Sequence, residues 1–257
     1  MKVTVLGSGS AYGTPMIFND WRKANPGNPK NIRTRASILL EEKGKTILID
    51  AGPDIRTQIN NNNVANIDAV FLTHGHYDHI AGIPELPRAA KILGHSIDVF
   101  ASAETLNEVK TSFGYLFGKH ADAEPDSAKL NWRLLPDTGS FEAAGLQFEA
   151  MSFPHHSLHS SGFRYGDFAY VTDWQDMPEA SKEKLNNLEL LLIECNNGTY
   201  PENNGHSDLF KIKEHLSTLS PKKVVLTHLS ARVDYDELSS LLPENWSVGY
   251  DGLRLRL

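Results

Sequence analysis

THGHYDH occupies residues 73–79 of the chain, directly after an apolar run at residues 69–72 that predicts a strand. His74 and His76 are two residues apart and point to one side of an extended segment, and Asp78 and His79 follow as the chain turns. Four potential ligands of mixed imidazole and carboxylate type are typical of a site for zinc, manganese or iron that keeps a position open for water. The stretch therefore predicts a metal site at the end of a strand.

A two-metal site needs more ligands than this stretch supplies, so further ligands are expected at the ends of other strands. Three other apolar runs end in suitable residues: His155 with His156, then Asp173, then His228. Strand ends at one edge of a sheet are where α/β folds usually build a site. Taken alone, each of these residues is better explained by packing in the core or exposure on the surface.

The composition excludes several classes of protein. Over 257 positions, 40% hydrophobic and 22% charged residues argue against a disordered or fibrous chain. A net charge of −7 argues against broad electrostatic binding to nucleic acid or to an anionic membrane. The single cysteine, Cys195, cannot form an internal disulfide, and no apolar stretch is long enough to span a membrane. The apolar run at residues 2–6 is too short for a signal peptide, so a cytoplasmic location is expected.

Strand-like and helix-like segments are mixed along the chain without strict alternation. The predicted strands are residues 2–6, 36–41, 45–50, 69–73, 146–153, 162–165, 168–172, 189–195, 223–228, 247–250 and 253–257. The predicted helices are residues 53–62, 84–93, 103–113, 178–188, 207–219 and 234–241, and residues 120–140 are predicted as a loop. This order favours sheets packed between helices, an α/β or α+β layered sandwich, and no linker divides the predicted single domain of residues 1–257.

The order of the candidate ligands resembles the metallo-β-lactamase superfamily of two-metal hydrolases. The resemblance rests on the H-x-H-x-D-H pattern of residues 74–79 and runs nearly end to end, from LGSG at 6–9 through LIDAG at 48–52 to YDG at 250–252. It implies a four-layer αββα sandwich and two divalent metal ions, zinc or manganese. By this resemblance one metal is held by His74, His76 and His156, the other by Asp78, His79 and His228, and Asp173 bridges them.

Two assignments near these ligands rest on local pattern. His156 is preferred over His155 because HS at 156–157, with GFR at 162–164, is similar to a pattern of the family. Asp50, at the end of a predicted strand, is expected to orient a ligand histidine, with a plain turn aspartate as the alternative.

Within the superfamily, the chain is most similar to the phosphodiesterase branch, which includes ribonuclease Z and the phosphoribosyl cyclic phosphodiesterase of the carbon–phosphorus lyase pathway. GHSDL at 205–209 and LTHL at 226–229 carry this similarity. His206 falls where these enzymes have a histidine near the scissile phosphate, so the resemblance assigns His206 and Asp78 to catalysis. The plainer interpretation of His206 is a histidine at a helix start beside Ser207.

The chain also departs from that branch in two places. Residues 14–35 contain no cysteine, so a cysteine-rich structural zinc site is absent and this loop must be ordered in another way. Residues 80–145 contain no basic, glycine-rich arm of the kind that ribonuclease Z uses for tRNA. Arg33 and Arg35 are expected to be solvated rather than bound to substrate, and His95, His120, His159 and His215 are expected at the surface or in the core.

The sequence therefore predicts a phosphodiesterase for a small cyclic or nucleotide-like substrate. The expected partners are that substrate and a second copy in a possible homodimer, with no nucleic acid and no membrane. The alternatives are a nuclease similar to ribonuclease Z, a metallo-hydrolase of lactones, thioesters or β-lactams, and a non-catalytic binding scaffold. The scaffold is disfavoured because a complete candidate ligand set is present.

Overall fold

The computed structural model describes residues 1–117, 129–202 and 204–257. Its strands are β1 (Lys2–Gly7), β2 (Ser37–Glu42), β3 (Lys45–Ile49), β4 (Ala69–Phe71), β5 (Ile97–Ala101), β6 (Leu130–Leu134), β7 (Gly139–Ala143), β8 (Leu146–His155), β9 (Leu158–Tyr165), β10 (Phe168–Val171), β11 (Leu190–Glu194), β12 (Lys223–Thr227), β13 (Trp246–Val248) and β14 (Arg254–Arg256). Its α-helices are α1 (Ile55–Asn61), α2 (Tyr77–Ile80), α3 (Leu86–Leu93), α4 (Ala103–Ser112), α5 (Glu179–Lys182), α6 (Leu209–Leu216) and α7 (Tyr235–Ser239).

The strands form two seven-stranded sheets built on one plan. The first has the order β14-β1-β2-β3-β4-β5-β6 and the second the order β13-β12-β11-β10-β9-β8-β7. In each sheet one part is antiparallel and the other is parallel: β3 to β6 are parallel in the first sheet, and β10 to β13 in the second. Because parallel strands start and end together, each sheet has one edge where several strand ends meet.

The core lies between the sheets and on their outer faces. Between the sheets, Phe71 of the first sheet packs against Phe148 and Phe163 of the second, with ring centroids 4.9 and 5.1 Å apart. Outside the first sheet, residues of α1 and α3 such as Ile55 pack on it, and outside the second, residues of α6 such as Ile212 do the same. The layers therefore run helix, sheet, sheet, helix, which confirms the predicted four-layer αββα sandwich.

Apolar composition sets which strands lie at the centre. The sequence LLLIE of β11 is buried at every position, as expected for a parallel strand covered on both faces. Residues 120–140 were expected to be a loop, but β6 lies within them, and residues 118–128 fall outside the described part of the chain together with His120. Among the described strands β6 pairs with β5 alone, and an edge strand that is half exposed needs no continuous apolar pattern of the kind that marks the inner strands.

A buried arginine orders the cysteine-free segment of residues 14–35. Arg33 is only 2% exposed and donates to the backbone oxygens of Val233 and Ser230 and to Oδ1 of Asn31, at 2.9, 3.2 and 2.7 Å. The expectation of a solvated Arg33 was therefore wrong. Burial lowers the pKa of Arg33 to about 10. Arg35 is partly buried and pairs with Asp54 at 3.1 Å, so both guanidinium groups are engaged within the fold.

Among the described residues, no helix combines the length and the apolar character that crossing a membrane requires.

Candidate metal centre

The first group of ligand residues leaves the end of β4 and enters α2. His74 follows β4 by three positions and is buried, His76 lies before α2, and Asp78 and His79 are buried within it. The loop after β3 packs tightly against this turn: a Cβ added to Gly52 would lie 2.0 Å from the carbonyl oxygen of Asp78. Only glycine allows this close approach, so Gly52 lets the loop after β3 pack directly against the backbone of the ligand turn.

Asp50 orients His79 from behind. Its Oδ2 lies 2.7 Å from Nδ1 of His79, and its Oδ1 accepts a hydrogen bond from the backbone N–H of Thr73 at 2.8 Å. A histidine that donates its Nδ1–H to a carboxylate presents Nε2 to the other side, which is the usual support for a metal-ligating imidazole. The structure thus agrees with the expectation that Asp50 orients a ligand histidine.

One side of the centre is formed by Asp78, His79, Asp173 and His228. Nε2 of His79 lies 3.1 Å from Oδ2 of Asp78 and 3.2 Å from Oδ2 of Asp173. Nε2 of His228 lies 3.4 and 3.3 Å from the same two oxygens. Ligands bonded at about 2.0–2.2 Å to a tetrahedral ion lie about 3.3–3.6 Å from each other, so this spacing fits a metal ion.

Nε2 of His79 gives an independent test of that fit. This buried atom has no hydrogen-bond partner among the described residues, although it faces the carboxylates of Asp78 and Asp173. This arrangement of an imidazole nitrogen and two anionic oxygens is unfavourable unless a proton or a metal cation lies between them. Burial lowers the pKa of His79, but Asp78, Asp50 and Asp173 together hold it well above 6.5. The residues present therefore call for a positive charge at this point, which a divalent ion would supply.

The other side of the centre is formed by His74, His76 and His155. Nε2 of His74 lies 2.9 Å from Nδ1 of His76, and Nε2 of His155 lies 3.3 Å from that same nitrogen. Oδ1 of Asp173 lies 3.6 Å from Nε2 of His155. Burial lowers the pKa of His155 to about 4 and that of His74 well below 6.5, so both imidazoles are in the neutral form that binds metals. The two oxygens of Asp173 therefore face the two sides of the centre, one oxygen each.

The position of His155 corrects the expected preference for His156. His155 is the last residue of β8, is fully buried, and has its Nδ1 3.0 Å from the carbonyl oxygen of Gly205. His156 is exposed in the turn after β8 with φ +51°, and its backbone N–H donates to Gln175. Alternation along β8 places Phe153 and His155 on the same buried face, and this signal could have identified the ligand. His156 lies at the open rim, near His155 and His206.

Parallel register aligns the residues supplied by the second sheet. Val171 of β10 pairs with Ile193 of β11, which pairs with Leu226 of β12. Asp173, Glu194 and His228 therefore reach the same edge, as expected for ligands at strand ends. The side-chain amide of Asn196 lies 3.2 Å from Nδ1 of His228 and supports that ring.

His206 lies beside the centre and is held by Glu194. Its Nδ1 lies 2.6 Å from Oε1 of Glu194 and 3.5 Å from Oδ1 of Asp173. Glu194 is fully buried, and its Oε2 accepts a hydrogen bond from the backbone N–H of Trp174 at 3.0 Å. Burial lowers the pKa of His206, but Glu194 raises it to about 9. Sequence reasoning missed Glu194; its signal was a carboxylate closing an otherwise apolar strand.

Residues 45–229 match the family described as the beta-lactamase superfamily domain. This chain belongs to the metallo-β-lactamase superfamily. The matched range contains every residue of the candidate centre, from Asp50 to His228.

Three proteins of known name are similar to this superfamily member in sequence or in structure. It is similar to a solved diphosphatase from the PhnP family, at 28% identity, covering 100% of this chain and 97% of that one with a TM-score of 0.88. It is 31% identical to an octanoyltransferase of Porphyromonas gingivalis, over 98% of this chain and 51% of that protein. It is 26% identical to a ribonuclease Z of Methanococcus maripaludis, over 73% of this chain and 54% of that protein. The chain thus spans about half the length of these curated relatives.

The superfamily and the candidate centre agree on the general chemistry. The described residues contain His and Asp groups whose ligand atoms lie within 4.8 Å of one another. Together with membership in the metallo-β-lactamase superfamily, they support a metal-dependent hydrolase.

Proposed function

We propose that this superfamily member hydrolyses small phosphodiesters, cyclic or nucleotide-like, with two divalent ions such as zinc or manganese. The observation that carries the proposal is Asp173, whose two oxygens face two separate sets of ligand atoms. Two ions held in this way would stabilise negative charge on a phosphoryl group and activate a water molecule near neutral pH.

The ligands of the proposed centre follow from the distances. His74, His76 and His155 would hold one ion, and Asp78, His79 and His228 the other, with Asp173 shared between them. Asp78 serves catalysis by fixing the second set, since its Oδ2 lies within 3.4 Å of both His79 and His228.

His206 is the proposed acid. Its Nδ1 is directed to Glu194, so Nε2 is the nitrogen that remains for a substrate. A protonated imidazole there can donate to the departing oxygen or hold a phosphoryl oxygen. Glu194 keeps the ring in this orientation and favours the protonated form.

A second candidate is hydrolysis of a diphosphate bond. The similarity to a diphosphatase covers nearly the full length of both chains at 28% identity, which favours this substrate class. Both reactions are attacks on phosphorus and differ in the departing group, so one centre can serve either. Nuclease activity has support from the ribonuclease Z relatives, but a net charge of −7 weighs against binding of long polyanions.

A substrate panel tests the proposal. Metal-loaded protein should hydrolyse bis(4-nitrophenyl) phosphate, and turnover of 4-nitrophenyl phosphate, an acyl thioester and a lactone should be much slower. His206→Ala should lose most turnover and keep both metal equivalents, whereas the matched control His215→Ala should change neither. Hydrolysis of the thioester or the lactone alone would refute the proposal and favour an acyl substrate.

Two partner expectations belong to the same proposal. A homodimer is expected and is checked by light scattering on the eluted protein. Cleavage of a structured RNA at a rate comparable with the small diester would contradict the exclusion of nucleic acid.

A further inference from the structure

A cavity of about 300 Å³ opens beside His206. Its lining residues come from the segments around β10 and the start of α6: Gln175, Pro201, Glu202, Gly205, His206, Asp208 and Lys211. His206 belongs both to this cavity and to the edge of the candidate metal centre. The cavity is therefore positioned to receive a part of the substrate that extends beyond the reacting phosphorus.

The acidic residues of the cavity are engaged with other groups. Oδ1 of Asp208 accepts hydrogen bonds from the backbone N–H groups of Phe210 and Lys211, at 2.8 and 3.0 Å, and so caps α6. The carboxylate of Glu202 pairs with Arg232. Neither carboxylate is thus directed to a cation inside the cavity.

Lys211 is the cation that remains in the cavity besides His206. Its ammonium donates to the backbone oxygen of Gln175 and lies 5.5 Å from the centre of the Trp174 ring. Within residues 1–117, 129–202 and 204–257, no carboxylate forms an ion pair with Lys211. An ammonium has three N–H donors, so donors remain for a ligand after the bond to Gln175.

We propose that Lys211 binds a phosphate carried by the departing part of the substrate. The inference rests on the proposed function, in which His206 marks the position of the departing oxygen. A group leaving beside His206 enters the adjoining cavity, where the ammonium meets it. Lys211 is then a specificity-determining residue, and the preferred substrates are diesters whose departing part carries its own phosphate, diphosphate diesters included.

A purely structural role for Lys211 predicts a different pattern of effects. Lys211 holds the backbone oxygen of Gln175, and Oε1 of Gln175 accepts the backbone N–H of His156 at 2.6 Å. Loss of that support would disturb the turn beside His155 and slow every substrate alike. Two substrates that differ in the departing group therefore separate the two roles.

The kinetic test compares Lys211→Met with the wild type and with Lys213→Met, an exposed lysine of the same helix, as the matched control. For diadenosine 5′,5″-diphosphate, whose departing group is AMP, Lys211→Met should raise KM about tenfold with kcat within about twofold. For thymidine 5′-(4-nitrophenyl phosphate), whose departing group has no phosphate, both constants should stay within about twofold. Lys211→Arg should restore most of the lost KM, and Lys213→Met should match the wild type.

A binding test decides the inference independently of turnover. By calorimetry on metal-loaded protein, Lys211→Met should weaken binding of ADP about tenfold, which is ~1.4 kcal/mol. It should weaken AMP less than twofold, because the metal centre takes the single phosphate of free AMP. Equal losses for both nucleotides, or an unchanged affinity for ADP, would overturn the inference. If no diester is hydrolysed by the wild type, the proposed function fails, and the ADP measurement still decides whether Lys211 binds the second phosphate.

Discussion

Replacing Glu194 by glutamine tests the role given to His206. The carboxylate lies 2.6 Å from Nδ1 of His206, and its other oxygen accepts the backbone N–H of Trp174. A glutamine has one oxygen for these two donors, so one contact is lost in either orientation, together with the negative charge. A buried hydrogen bond to a charged group contributes about 2 kcal/mol, which corresponds to about thirtyfold in kcat.

The same substitution should also shift the pH dependence of kcat in a definite direction. Glu194 holds the pKa of His206 at about 9, so the acid is present at neutral pH and is lost as the pH rises through that value. Without the negative charge, the pKa of His206 falls and the alkaline limb of the kcat profile moves to lower pH. The assay is turnover of bis(4-nitrophenyl) phosphate from pH 6 to pH 10, with metal content measured for each variant.

Glu189→Gln is the matched control, because Glu189 is a partly exposed glutamate that pairs with Lys222 on the surface. It should leave kcat and the profile unchanged. An unchanged alkaline limb in Glu194→Gln, with both metals bound, would refute the assignment of His206 as the acid held by Glu194.

Three further variants or reagents test other parts of the structure. His155→Ala should lose one of two bound metal equivalents by elemental analysis, while His156→Ala should keep both; the reverse would restore the original assignment. Arg33→Leu removes three hydrogen bonds from a buried site and takes from the carbonyl oxygen of Val233 its donor, so it should lower the free energy of unfolding by about 3 kcal/mol in urea, against less than about 0.5 kcal/mol for the exposed Arg22→Leu. Burial raises the pKa of the Cys195 thiol, so a thiol reagent should label it only on unfolding; rapid labelling of folded protein would contradict its burial.

Three of the candidate ligands that the sequence singled out share one property: each follows an apolar run closely enough that the strand end fixes its position. His74, Asp173 and His228 all obey this rule, and the parallel register brings them together. The choice between His155 and His156 failed because it depends on which residue ends β8. A resemblance to a motif was weighed above the alternation of Phe153 and His155, and the alternation agrees with the structure.

Other features could not be predicted because their partners are distant in sequence. Arg33 donates to the backbone oxygen of Val233, which lies 200 positions later in the chain. The residues next to Arg33 in sequence give no indication of that contact. Glu194 is the acidic residue that ends a buried strand, and its role becomes evident only when the fold places it 2.6 Å from His206. The single domain over residues 1–257 stays a prediction.

The candidate centre depends on both sheets at once. The parallel part of the first sheet supplies the turn of residues 74–79 after β4, and the parallel part of the second supplies Asp173 and His228. His155 enters from the antiparallel part, at the hairpin between β8 and β9. Because Asp173 has one oxygen toward each set of histidines, a shift of one sheet against the other would open both sets together. The aromatic packing of Phe71 against the second sheet therefore does more than fill the core, since it fixes the spacing on which the shared carboxylate depends.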